Sequence, residues 1–249
     1  MKKFYYDFGN ATIDSGTVST TTYSGAGDSV TNEDRVNDKN ISLAITNYDT
    51  NDAIQFAYSE NKSATAALGY FTATSGNTLQ IYSSTSATDI GTSKGGLASG
   101  SGWKAAEFTA TAGDYYYAHA QFGSITGCAE ILIGKHLDMD GTNLYSPDIA
   151  GYEEREEFLN DISTSYSGVE YAKKRGNPKT VWKFTWSNIS STMKTNLEDL
   201  RDTITGDLNK FVYYDGTNYY WVRYVSGLDF KEVAYQRYST SLTIREQLV

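Results

Sequence analysis

The chain has 249 residues, 39% hydrophobic and 14% aromatic, with 22 Gly and only 2 Pro, a composition too aromatic for a disordered chain and unlike collagen, Pro-rich linkers or coiled coils. Its 21 basic and 30 acidic residues leave a net charge of −9, which argues against a nucleic-acid partner, since phosphate binding needs a basic stripe. No run approaches the roughly 20 apolar residues of a membrane span, and no apolar segment follows Lys2 and Lys3, so neither membrane insertion nor a signal peptide is expected.

Residues 1–130 carry 7 Lys/Arg and 13 Asp/Glu, whereas residues 131–249 carry 14 and 17 together with three of the four Trp. This shift predicts two domains, 1–136 and 137–249. The first half reads as short strands at Thr17–Tyr23, Ile41–Ile45, Ile54–Tyr58, Thr78–Tyr82, Trp103–Phe108, Tyr115–Phe122 and Ala129–Ile133. Apolar residues alternate along several of them, which sets one face on a core. Turn residues separate them at Asn47–Asp52 and Ser75–Asn77, and Gly91–Gly102 reads as a loop. The expected fold is mainly β, with an N-terminal jelly-roll-like β-sandwich.

The second half predicts an α+β domain. Acidic Tyr152–Asn160 reads as a short helix or solvated loop, and Val169–Lys173 and Thr180–Trp186 as strands. Met193, Leu197, Leu200 and Ile204 fall on one face of a 3.6-residue period, so a helix is expected over 191–204. Ser190 is its expected N-cap and Gly206 its stop. An aromatic hairpin follows, from Lys210–Tyr214 through Asp215-Gly216 to Tyr219–Val225, and then a last strand at Tyr238–Ile244. No internal repeat is visible.

Catalytic motifs are missing. His119 lies in an alternating strand and His136 at a strand end, neither beside a nucleophile motif. Cys128 is the sole cysteine, so no internal disulfide forms, and a buried apolar role suits it better than nucleophile. Asp138-Met-Asp140-Gly141-Thr-Asn143 begins like a calcium loop, but Gly falls at position 4 and Ile149 at position 12, so a polar turn is expected. The carboxylates of Glu153–Glu157 fit a solvated face better than a glycosidase pair, which must flank a sugar across a cleft. The unusual feature is the rings at Tyr115–Tyr117, Tyr213-Tyr214 and Tyr219-Tyr220-Trp221, a residue type suited to protein or sugar contact.

The order of several segments resembles a group of tailed-bacteriophage virion proteins: Ala129–Lys135 (AEILIGK), Leu144–Pro147 (LYSP), Gly151–Arg155 (GYEER), Ser165–Tyr171 (SYSGVEY) and Trp182–Ser190 (WKFTWSNIS), then the helix. In that group a galactose-binding-like jelly roll precedes a compact β-rich domain. The first half here has no clear Asp-Leu-Gly step or Arg-Tyr-x-Arg-Ile strand of that pattern. The resemblance implies a non-enzymatic structural component of a phage tail, located in the virion and made in the host cytoplasm. Its partners would be copies of itself in a ring and other tail proteins. The expected assembly contacts are Tyr213, Tyr214, Tyr219, Tyr220, Trp221 and Arg223, with Trp182 and Trp186 either supporting them or in the core. The alternative is a carbohydrate-binding module for host glycan, with Trp103, Tyr115, Tyr116 and Tyr117 as sugar contacts. No catalytic residue, metal or cofactor is expected.

Overall fold

The computed structural model describes residues 1–9, 12–14, 44–45, 52–73, 76–87, 89–141, 144–148, 151–158, 160–168, 170–174, 176–204 and 209–247. The expected strand Thr17–Tyr23, most of Ile41–Ile45 and the helix stop at Gly206 lie outside them. The described chain is mainly β, with a single helix. It divides into two compact units, residues 7–136 and 137–248, the second also taking Met1–Tyr6.

In chain order the strands are β1 (Lys3–Tyr6), β2 (Thr12–Asp14), β3 (Ala53–Phe71), β4 (Leu79–Ser84), β5 (Thr92–Leu97), β6 (Gly102–His119) and β7 (Cys128–Asp138). They continue with β8 (Glu153–Glu157), β9 (Asn160–Thr164), β10 (Glu170–Lys174), β11 (Lys179–Ser190), the helix α1 (Ser191–Ile204), β12 (Phe211–Tyr214), β13 (Tyr219–Gly227), β14 (Lys231–Ala234) and β15 (Arg237–Glu246).

The unit 7–136 is jelly-roll-like, built on the antiparallel order β5-β4-β6-β3-β7, with β2 on β3. The alternation expected at Ile54–Tyr58 is present: Ile54 and Phe56 are buried, and Gln55 between them is half-buried. Cys128–Gly134 in β7 is buried throughout, the pattern of a strand covered on both faces. The Gly91–Gly102 run is not all loop, because it contains β5, paired with β4 from Leu79↔Leu97 to Ser83↔Thr92. The fully buried Leu97 anchors that strand. Gly95 sits beside its register shift at φ 147°, where a residue without Cβ is unstrained.

The long strands β3 and β6 pair along most of their length, with register shifts at Ala57/Lys62 and Ala64/Ala66. The Tyr116 hydroxyl fastens this irregular stretch, lying 2.7 Å from the Thr111 carbonyl oxygen and 2.8 Å from that of Lys62. Burial pushes its pKa up to about 12. Tyr116→Phe keeps the ring but removes the one O–H shared by these partly buried carbonyls and the oxygen that accepts the buried Ala64 N–H at 3.3 Å. It is expected to cost about 1–3 kcal/mol, read as a lowered urea midpoint at unchanged slope.

The other unit has the antiparallel order β1-β12-β13-β15-β11-β8, with β14 on β15 and β9 paired with β10 as a separate two-stranded sheet. The composition shift groups the first six residues with the N-terminal half, but Lys3–Tyr6 form β1, which pairs with β12, Phe4 opposite Tyr213. The reason is packing: Phe4 is fully buried, edge-on to Phe184 at 5.5 Å. Helix α1 has the expected bounds and buries Met193, Leu197, Leu200 and Ile204. Ser190 Oγ caps it, accepting the Met193 N–H at 3.3 Å. No helix among the described residues is long and apolar enough to cross a membrane.

Acidic Glu153–Glu157 is neither helix nor loop. It is the edge strand β8, paired with β11 from Glu157↔Lys179 to Glu153↔Lys183. The ladder offered by β11 overrides its poor strand propensity, and cations flank it, with Lys183 3.5 Å from Glu153 and Arg245 3.5 Å from Glu157. The β12–β13 loop spans Asp215–Asn218, where Asp215 Oδ1 accepts the N–H groups of Thr217 and Asn218 at 2.6 and 2.8 Å.

Candidate functional site

In β11 the register slips between Trp186 and Ile189. This bulge turns Asn188 outward while Trp186 and Ile189 stay buried. The segment after β7 is tied to it. The Trp186 indole N–H donates to the Tyr145 carbonyl at 2.8 Å. Asp148 N–H donates to the Thr185 carbonyl at 2.9 Å, and Asp148 Oδ2 accepts the Ser187 N–H at 2.9 Å. Ser146 Oγ donates to the Met139 carbonyl at 3.3 Å, and Met139 N–H to that of Lys2 at 3.0 Å.

These ties leave a cleft of about 1050 Å³ in the C-terminal unit. Its aromatic walls are Tyr145, Tyr152 and Trp186, and its polar rim includes Asp140, Asp148, Asn188 and Asp215. Tyr145 is 41% exposed. Tyr152 is held on its fellows: its ring lies 5.6 Å from that of Phe184, its hydroxyl donates to Glu154 at 3.1 Å, and Lys2 Nζ lies 3.0 Å from the ring centroid. Burial raises the Tyr152 pKa, and the Glu154 carboxylate adds to it. Burial lowers that of Lys2 against the pull of Glu154 and Asp215.

Chemically, the cleft offers an exposed ring face beside several hydrogen-bond acceptors and an amide. Asp148 and Asp215 already accept backbone N–H groups, yet a carboxylate has lone pairs for further donors. A ligand with apolar C–H faces and many hydroxyls meets both requirements.

The residues singled out in the sequence are placed differently. In the hairpin, Tyr213 is 0% and Trp221 3% exposed, so neither ring is available as a contact surface. Tyr214, Tyr219, Tyr220 and Arg223 are half-buried. Tyr214 stacks on Tyr219 at 4.4 Å and Tyr220 packs on Trp182 at 4.9 Å. Trp182 and Trp186 are core residues at 1% exposure each.

In the other unit, Tyr116 and Tyr117 are fully buried, while Trp103 and Tyr115 are half-buried. Tyr117 donates to the Ser86 carbonyl at 3.0 Å and accepts from Gln55 at 2.8 Å. Both residues therefore leave the set of possible sugar contacts: adjacent rings in a strand covered on both faces serve packing. Trp103 packs edge-on against Tyr70 at 5.2 Å. Buried His119 lies edge-on to Tyr82 at 5.9 Å, and His136 Nδ1 is 2.9 Å from Thr65 Oγ1. Cys128 is buried, and burial, with Glu130 nearby, drives its thiol pKa far up, which makes it unreactive.

Tyr145, Tyr152, Asp148, Asn188 and Asp215 belong to no site motif in the sequence. The available signal was the Tyr-Ser-Pro-Asp segment at 145–148, where a ring and a carboxylate flank a proline.

No family model matches the chain, and no curated protein matches it. Solved structures do. The CBM32 of AlyQ in complex with 4,5-unsaturated mannuronic acid matches at 16% identity and a TM-score of 0.31, over 40% of this chain and 83% of that one. Truncated AlyQ with CBM32 and alginate lyase domains matches at 12% identity and a TM-score of 0.36, over 88% of this chain and 57% of that one. Neither is described as a virion protein.

Proposed function

We propose that this protein is a non-enzymatic carbohydrate-binding protein that holds a glycan in the Tyr145–Tyr152 cleft. The carrying observation is the cleft itself: about 1050 Å³, with an exposed ring, a second ring held in place, and an acceptor-rich rim. The site differs from the one expected in the N-terminal half, where two of the four candidate rings are wholly buried. Tyr145 stacks on a sugar face, while Asp140, Asp148 and Asn188 take its hydroxyls.

The rim sets the sugar class. Asp140, Asp148 and Asp215 are anionic, and a cation beside them, Lys2, sits over the Tyr152 ring under the pull of Glu154 and Asp215. A carboxylated sugar would meet like charge. Neutral oligosaccharides are expected to bind saturably and at least about tenfold more tightly than uronate oligomers, roughly 1.4 kcal/mol. Calorimetric titration of the full chain with both classes reads this directly. Equal or tighter uronate binding contradicts the assignment of the rim.

The second reading is a structural component of a phage tail. One observation favours it: Tyr214, Tyr219, Tyr220 and Arg223 remain partly open on the hairpin. The protein would then co-purify with virions, and labelled-virion imaging tests that. A glycan-binding tail component would satisfy both readings.

A further inference from the structure

Beyond the cleft, the C-terminal unit carries an arm. The chain passes from β8 through Phe158 into β9 and returns through β10 to β11. Glu157 faces Lys179 in the first ladder, and Asn160 faces Lys174 in the second, both antiparallel. The Ser165–Gly168 turn closes the far end, with the Gly168 N–H donating to the Ser165 carbonyl at 2.9 Å. An isolated two-stranded hairpin is marginal in water and gains stability from a third strand or a packed face. This one exposes its large rings instead: Phe158 is 65%, Tyr171 60% and Tyr166 110% exposed.

The two edges of this region carry opposite charge. Strand β8 ends the order of its sheet among the described residues and exposes Glu153, Glu154 and Glu156 around Arg155. Strand β10 exposes Lys173 and Lys174 at its C-terminal end, with the single acid Glu170 at its start. Charge on an edge strand ordinarily blocks pairing between copies. That protection works between like charges, and here an acidic edge on one copy meets a basic edge on another.

We infer that the arm is a contact between copies of this chain, with β10 of one copy lying along β8 of the next. Lys173 and Lys174 then face the β8 glutamates, and Phe158 and Tyr171 lose their exposure to water. Strand addition supplies the hydrogen bonds, and the paired charges fix register and partner. The contact joins two different surfaces, so it propagates head to tail and closes only if the rotation allows a ring.

The test is sedimentation velocity of the full chain from micromolar to submillimolar concentration, at low and high salt. Concentration-dependent association is expected, weakened by salt because the charges lie at the surface. Lys173→Glu with Lys174→Glu is expected to weaken association at least about tenfold, at an unchanged circular dichroism spectrum. Adding Glu153→Lys and Glu156→Lys to the same chain reverses both edges and restores it. A chain that stays monomeric throughout at low salt overturns the inference, as does association that the lysine reversal leaves intact or the double reversal fails to restore.

Discussion

Tyr145→Ala is expected to lower glycan affinity by about tenfold or more while leaving the unfolding midpoint nearly unchanged. The two effects separate because the residue contributes through different parts. Its ring is 41% exposed and forms a wall of the cleft. Its structural tie is the backbone carbonyl, which accepts the Trp186 indole N–H at 2.8 Å, and alanine keeps a carbonyl. Tenfold corresponds to roughly 1.4 kcal/mol, within the range for truncating a contact ring. A surface substitution of this kind shifts stability by about 0.5 kcal/mol or less. Tyr145→Phe keeps the stacking face and is expected to bind close to the parent. Titration calorimetry with a thermal melt on each variant checks all three statements, and an alanine variant that binds normally removes Tyr145 from the site.

Trp186→Ala is expected to produce the largest loss of stability. The ring is 1% exposed, stacks on Phe184 at 5.9 Å with planes 12° apart, and holds the 144–148 segment through its N–H. Removing a buried tryptophan costs transfer free energy plus a cavity, about 3–5 kcal/mol. That is a large part of the roughly 5–15 kcal/mol that keeps a domain folded. Trp186→Phe preserves much of the packing but orphans the Tyr145 carbonyl, so it is expected to fall between parent and alanine. Urea unfolding of the three proteins measures the order. A cost below about 1 kcal/mol for alanine would contradict the burial of this ring.

What could be read from the sequence was local. The helix was legible because Met193, Leu197, Leu200 and Ile204 repeat at its period and Ser190 precedes them, and all of these act as expected. The hairpin was legible from its turn, and Ile54 and Phe56 from alternation. Strand β8 was not, because five consecutive charged residues have no apolar phase; only its ladder with β11 makes it a strand. Strand β1 was missed for a related reason: four residues hold too few periods, and their partner β12 lies about two hundred positions away. Runs of adjacent rings misled, since Tyr116, Tyr117, Tyr213 and Trp221 are all core residues in strands. The cleft was hidden because Tyr145, Asn188 and Asp215 converge only through the β11 bulge and the β12–β13 turn.

The four tryptophans offer a direct reading of where a sugar binds, because each contributes one indole N–H signal. Trp186 lies at the cleft, whereas Trp103 belongs to the other unit. Proton–nitrogen NMR of the full chain titrated with a neutral oligosaccharide should therefore move the Trp186 indole signal saturably and leave that of Trp103 in place. A saturable shift at Trp103 with Trp186 unmoved would contradict the assignment of the cleft, and no shift at any of the four across a panel of sugars would contradict glycan binding.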